Sequence, residues 1–392
     1  MSRVVRIYLD YNATSPPFAD VVATVARVLA EDFGNASSVH AFGQRAKAVV
    51  DDARQEVAAL IDADAGEVVF TAGGTEADNL ALRGAAEAVE PLGRRHVITT
   101  AIEHEAVLNT LKSVARRGWT VTTLPVDESG VVTPDALRAA LTPETSLVSV
   151  MHANNEVGTI QPIAELAAIA REHGAIFHTD AVQSAGKIPV SARRLGVDLL
   201  AISGHKFGGP KGIGALWVRR GVRLAQAMTG GKQERNRRAG TENVPAIAGL
   251  GVAARLSREK LAANSSGFAE LRDRLERGIL EGVPGSSVNG DPARRVPNTT
   301  NISFDGVEAE SLLIALDLEG VAVSTGSACS SGSLEPSHVL RAMGLPHGRT
   351  RNSLRFSLGA GTTPAEIDFV VEALPGLVTK LRRLTRAAAA VR

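Results

Sequence analysis

Val68-Val69-Phe70 is followed by Gly73-Gly74-Thr75-Glu76 and then by Asn79-Leu80-Ala81-Leu82. The first three are β-branched or aromatic and wholly apolar, as in a strand buried on both faces. The glycine pair marks a turn, and the apolar spacing after it is that of a helix. The same unit recurs along the chain. His96-Val97-Ile98-Thr99 precedes a helix near Glu105-Ala106-Val107-Leu108, and Leu147-Val148-Ser149-Val150-Met151 precedes a helix over Pro162 to Ala170. Ala175-Ile176-Phe177-His178 and Leu199-Leu200-Ala201-Ile202 are two further strands. This alternation predicts an α/β fold with a mostly parallel sheet covered on both faces. Ligands in such sheets bind beyond the carboxyl ends of the strands. The polar residues at those ends are Thr75, His104, Asn154-Asn155, Asp180 and Ser203-Gly204-His205-Lys206.

The pattern changes near residue 260. Leu261-Ala262-Ala263-Asn264-Ser265-Ser266-Gly267 reads as a polar break before a long helix that runs to Leu280. Hairpin-like strands follow, Asn301-Ile302-Ser303-Phe304 and Leu354-Arg355-Phe356-Ser357. The expected organisation is a large domain over 16–259 and a smaller α+β domain made of 1–15 and 260–392. The whole chain has 392 residues, 44% hydrophobic and 22% charged, ordinary for a globular protein. Its 43 basic and 42 acidic residues leave a net charge of +1, which argues against a nucleic-acid or membrane partner. The single cysteine excludes an intrachain disulfide and a multi-cysteine metal site, and it fits a reducing compartment. Met1 to Asp10 does not read as a signal peptide, and no apolar run has the length of a membrane span. The expected location is cytoplasmic.

Several residues carry two readings. Asp180 either caps a helix or is a buried carboxylate that keeps a pyridine nitrogen protonated, as pyridoxal phosphate (PLP) chemistry requires. Gln183, three residues on, would share its face in a helical turn. Lys206 stands between an apolar strand and the glycine-rich Gly208-Gly209-Pro210-Lys211-Gly212. It is either a surface lysine at a turn or a desolvated amine suited to a Schiff base. Gly74 and Thr75 open a helix, where backbone N–H groups and a hydroxyl make a phosphate cup, with Ser203 and His205 as further ligands. His104 is either structural or a ring that stacks on a cofactor and relays protons. Cys329 lies in Ser324-Thr325-Gly326-Ser327-Ala328-Cys329-Ser330-Ser331-Gly332-Ser333, ten small residues of which five are serine. A structural cysteine usually has bulky neighbours, whereas this one reads as a reactive thiol on a loop.

Together these residues resemble the cysteine desulfurases of the NifS/IscS type, among the fold-type-I PLP-dependent transferases. The resemblance starts at Tyr8-Leu9-Asp10-Tyr11-Asn12-Ala13-Thr14 and Gly34-Asn35-Ala36-Ser37-Ser38. It continues through Phe70-Thr71-Ala72-Gly73-Gly74-Thr75-Glu76, His152-Ala153-Asn154-Asn155-Glu156-Val157-Gly158 and Ser203-Gly204-His205-Lys206. Arg238-Ala239-Gly240-Thr241-Glu242-Asn243, the cysteine stretch, Leu334-Glu335-Pro336-Ser337-His338 and Leu354-Arg355-Phe356-Ser357-Leu358-Gly359 complete it. The resemblance implies that Lys206 carries PLP, that Asp180 pairs with its ring nitrogen and that Gln183 bonds its ring oxygen. It implies that His104 stacks on the ring, and that Gly74, Thr75, Ser203 and His205 hold the phosphate. Thr241 would reach the phosphate of the other subunit in a homodimer, and Asn155 and Arg355 would fix the substrate carboxylate. The implied substrate is L-cysteine. Its sulfur would pass to Cys329 as a persulfide, leaving alanine, and then to an iron–sulfur scaffold or another sulfur acceptor. Cys329 is also a candidate transient iron–sulfur ligand. The long cysteine loop, with no shortening between Val323 and Leu334, fits the branch that reaches out to partner proteins. It fits less well the branch with selenocysteine lyase character.

Three rival readings each make a different prediction. Another PLP-dependent aminotransferase or lyase would leave Cys329 incidental. A non-catalytic sulfur-carrier scaffold would bind no PLP. A cysteine hydrolase built on Cys329 and His338 lacks an orienting third residue.

Overall fold

The computed structural model describes residues 6–326 and 336–390, the last five as helical backbone only. Cys329, Leu334 and Glu335 lie outside the described residues. Among the described residues, twelve strands fall in three sheets. They are β1 (Ile7–Tyr8), β2 (Val68–Thr71), β3 (His96–Thr100), β4 (Thr120–Leu124), β5 (Thr145–Ser149), β6 (Ile176–Asp180), β7 (Leu199–Ser203), β8 (Gly214–Val218), β9 (Ser286–Asn289), β10 (Thr299–Phe304), β11 (Val321–Ala322) and β12 (Ser353–Ser357). The seven-stranded sheet has the order β2-β8-β7-β6-β5-β3-β4. All its pairings are parallel except those that β8 makes with β2 and β7. β3, β5 and β7 are buried along their whole length, which is why they read as apolar runs without alternation.

Helices cover both faces. α1 (Ala19–Glu31) and α2 (Ala41–Leu60) pack on one side with the helix Val244–Glu259. α3 (Gly74–Val89) and α4 (Glu105–Ala115) pack on the other. α3 buries Ala77, Leu80, Ala81 and Ala85, one stripe at helical spacing. Each fully buried Leu, Ile or Val in these layers contributes roughly 1.5–3 kcal/mol.

β9, β10 and β12 form an antiparallel sheet, and β1 pairs in parallel with β11. Ile7 and Leu9 thus join a core with Leu275, Ile279, Phe304, Leu354 and Phe356, remote in sequence. One expectation fails here. The stretch 261–267 is not a break but the start of the helix Leu261–Gly282, and the junction with the preceding helix is Lys260 alone. The hydroxyl of Ser266 turns back onto the carbonyls of Ala262 and Ala263, so this side chain is satisfied within the helix. The strand expected at Leu147–Met151 lies two residues earlier. No helix among the described residues is long and apolar enough to cross a membrane.

Candidate active site

The turns after β2, β6 and β7 converge. Gly73 has a φ of 151°, which favours glycine, and lets the chain turn from β2 into α3. A Cβ on Gly74 would lie 2.9 Å from Val182 Cγ2 and 3.4 Å from Ser203 Cβ. That contact brings the start of α3 against the ends of β6 and β7. A cavity of about 740 Å³ opens there, lined by Gly73, Gly74, Thr75, Ser203, His205 and Lys211 among others. It combines helix N–H groups, two hydroxyls and positive charge, a set that suits a phosphate. His205 Nδ1 lies 3.1 Å from Thr14 Oγ1. Burial, then the charges of Lys206, Lys211 and Lys187, push the His205 pKa down to about 4, so its ring is neutral at pH 7.

Lys206 ends the turn Gly204–Lys206 after β7. Its Nζ donates to the carbonyls of Asn12 at 2.6 Å and Ala13 at 2.9 Å, which belong to the N-terminal segment. Asp180 closes β6 and is buried, and its Oδ1 accepts from Val182 N at 2.9 Å. Burial raises its carboxyl above the usual range, although His104, the Val182 amide and Lys206 all pull it down. A cationic ring nitrogen beside it would add counter-charge to that carboxyl. His104 caps α4, and its Nδ1 accepts from Ala106 N at 3.1 Å. With Nδ1 an acceptor, the neutral ring carries its proton on Nε2. Gln183 is buried in the turn after β6, and its Nε2 donates to Asn12 O at 3.0 Å. The donors, the buried carboxylate and the lysine fit PLP.

Arg355 comes from β12 and is almost wholly buried. It pairs with Asp10 and donates to the backbone carbonyl of Asn155 at 3.0 Å. The Asn155 carbonyl also accepts from Asn12 Nδ2 at 3.1 Å. Arg355 Nε has no partner among the described residues. Thr241 stands apart from this cluster. It is exposed and lines a second cavity of about 140 Å³ with Glu234, Glu242 and Arg238, of which Arg238 also borders the phosphate cavity. No group of three or more histidines, cysteines or carboxylates suited to a metal occurs among the described residues.

Sequence reasoning passed over four residues. Asn12 bonds to seven groups around the site, although its own sequence context assigns it no role. Lys187 is buried, and its Nζ meets Asn12 Oδ1 at 2.8 Å and Gln183 Oε1 at 2.6 Å. The available signal was a lysine four residues after Gln183, inside an otherwise apolar stretch. Asp78 and Glu103 are buried near Asp180. Burial, then Asp180 and Glu103, raises Asp78 well above its ordinary range, and burial pushes Glu103 up to about 8. Nothing in the sequence alone places three carboxylates together.

Known proteins resemble this chain over nearly its whole length. The aminotransferase class-V family matches residues 7–370. A cysteine desulfurase of Nostoc sp. is 52% identical over 379 residues, 97% of this chain and 94% of that protein. Among solved structures, a NifS-like protein has a TM-score of 0.91 at 35% identity, covering 96% of this chain and all of the other. A structure described as SspA in complex with cysteine has a TM-score of 0.81 at 35% identity, covering 90% of this chain and 98% of the other. The chain belongs to the class-V aminotransferase family and, within it, to the cysteine desulfurases.

Proposed function

We propose that the protein converts L-cysteine and the thiol of Cys329 into L-alanine and a Cys329 persulfide. The observation that carries this is the meeting of three turns: Gly73–Thr75 lines one cavity with Ser203 and His205, and Lys206, next in the chain, lies close enough to buried Asp180 to pull its carboxyl down. The related SspA structure, with cysteine bound, supports the substrate. PLP, when bound, supplies an electron sink for charge that develops at the substrate Cα.

The chain's own residues do the rest. Arg355, with Asn155, holds the substrate carboxylate, and its planar fork suits two parallel hydrogen bonds. Lys206 Nζ removes the α-proton, and the Asn12 and Ala13 carbonyls aim that nitrogen beforehand. His104 holds a proton at Nε2 for transfer near the substrate sulfur. The Cys329 thiolate takes the sulfur as the C–S bond breaks. The alanine methyl carbon gains the hydrogen that the sulfur gives up, so the reaction needs no external oxidant. Gln183 bonds the ring oxygen, and Gly74, Thr75, Ser203 and His205 hold the phosphate.

The same reading has the persulfide passing to an iron–sulfur scaffold or another acceptor, with Cys329 a transient cluster ligand in that exchange. It has two chains pairing so that Thr241, outside its own phosphate cavity, serves the other's cofactor. It keeps 16–259 and 1–15 with 260–392 as the two domains, and a cytoplasmic location in keeping with the single cysteine.

The test is sulfide and alanine release from L-cysteine by the PLP-loaded protein. Cys329→Ala should keep the change in visible absorbance on adding cysteine but lose sulfide release by about 100-fold or more. Normal sulfide release would remove Cys329 from the reaction. A protein that gains no visible absorbance with PLP would overturn the whole reading.

A further inference from the structure

A glutamine amide has two nearly isosteric ends, one a donor and the other an acceptor. Gln183 is useful to a ring oxygen only if the nitrogen faces it. Both ends of this amide meet neighbours of fixed character. Its Oε1 accepts from Lys187 Nζ at 2.6 Å, and its Nε2 donates to the Asn12 carbonyl at 3.0 Å. In the flipped amide, NH2 would face the lysine amine and the carbonyl would face a carbonyl. One hydrogen on Nε2 then remains for a further acceptor.

The clamp is itself held. Lys187 Nζ also donates to Asn12 Oδ1 at 2.8 Å. Asn12 Oδ1 accepts from Asn298 Nδ2 at 3.1 Å, and Asn12 Nδ2 donates to Thr299 Oγ1 at 2.8 Å and to the Asn155 carbonyl at 3.1 Å. The Asn12 carbonyl that takes Gln183 also takes Lys206. Burial, then the charges of Lys206 and Arg355, lowers the Lys187 pKa well below the usual lysine range. A neutral amine still has two N–H bonds for its two acceptors, so the clamp works in either protonation state.

We propose that Lys187 is a positioning residue that grips the Gln183 amide oxygen and so commits the amide nitrogen to the ring oxygen of bound PLP. The inference rests on the PLP reading of the site. Lys187→Met removes the grip while keeping the bulk. It should weaken PLP binding to the apoprotein about tenfold, the scale of one hydrogen bond to a charged oxygen. It should also raise the pH midpoint of the bound cofactor's visible absorbance by about one unit, because a ring oxygen without its donor holds the nearby proton more tightly. In a Gln183→Met background the same change should add nothing further. Lys187→Arg, which keeps N–H donors, should hold the wild-type midpoint.

An unshifted midpoint in Lys187→Met overturns the proposal. So does a full shift in the Gln183→Met background, which would mean that the amide is not the route. If Lys187→Met does not fold, Lys187→Arg decides: a shift of about one unit there overturns the proposal. Wild-type protein that binds no PLP would instead count against the function itself, so the two failures are distinct.

Discussion

At one end of the candidate site, the residues come from three short turns: Gly73–Thr75 after β2, Asp180–Gln183 closing β6 and Ser203–Lys206 closing β7. Each side chain sits within a few residues of the strand that aims it. At the other end, Arg355 reaches Asp10 across 345 residues of chain and Asn155 across 200. The first region is assembled by local turn geometry on a single sheet. The second exists only because β1, β12 and the 152–158 loop meet. Asn12, bonded to Lys206, Gln183, Lys187 and Asn155, is the joint between them. A mutation in a turn should therefore perturb one contact, and a mutation at the joint or in the arginine corner should perturb several.

The largest effect expected from this contrast is at Arg355. Arg355→Lys keeps the charge but cannot hold Asp10, the Asn155 carbonyl and a carboxylate together. It should lower kcat/KM for cysteine about 50-fold, mostly through KM, with PLP absorbance intact. A loss confined to kcat would show that the corner does not bind substrate.

Gly74→Ala tests the turn. Its Cβ would sit 2.9 Å from a Val182 methyl group that can move. Affinity for PLP should fall about fivefold to tenfold while KM for cysteine stays near wild type, since the cost is one displaced contact. A large rise in KM would mean that the two regions are not separable.

The smallest effect concerns the buried floor beside His104. Glu103 has a pKa of about 8 in the fold against an ordinary 4.5. A raised carboxyl favours the folded state below 4.5, and that advantage is lost as pH rises through 8. Wild type should thus lose stability as pH rises from 4.5 to about 8, and Glu103→Gln should lose about 2 °C or more less in Tm over that interval. Parallel pH curves for the two proteins would show that Glu103 does not titrate there.

The helix Leu261–Gly282 shows the limit of reading composition. The serines and asparagine at 264–266 look like a linker, yet in place they are helical, and the Ser266 hydroxyl bonds back along the helix. The Lys187 clamp was equally illegible, because a lysine at a turn is ordinarily solvent-facing and only burial gives it acceptors. That Thr75, Ser203, His205 and Lys206 stand at neighbouring strand ends was legible, since their positions after apolar strands carry the information.

The amino-acid sequence by itself determined the strand–turn–helix order and the family, and it singled out Lys206 and Asp180 as candidates, because these depend on local pattern and short motifs. Tertiary structure alone decided which groups meet Asn12, which end of the Gln183 amide faces inward, and that Asp78 and Glu103 lie beside Asp180. Those outcomes depend on contacts between residues far apart in the chain. Their protonation and orientation follow from desolvation and the shared acceptors of a closed pocket, which no linear pattern encodes.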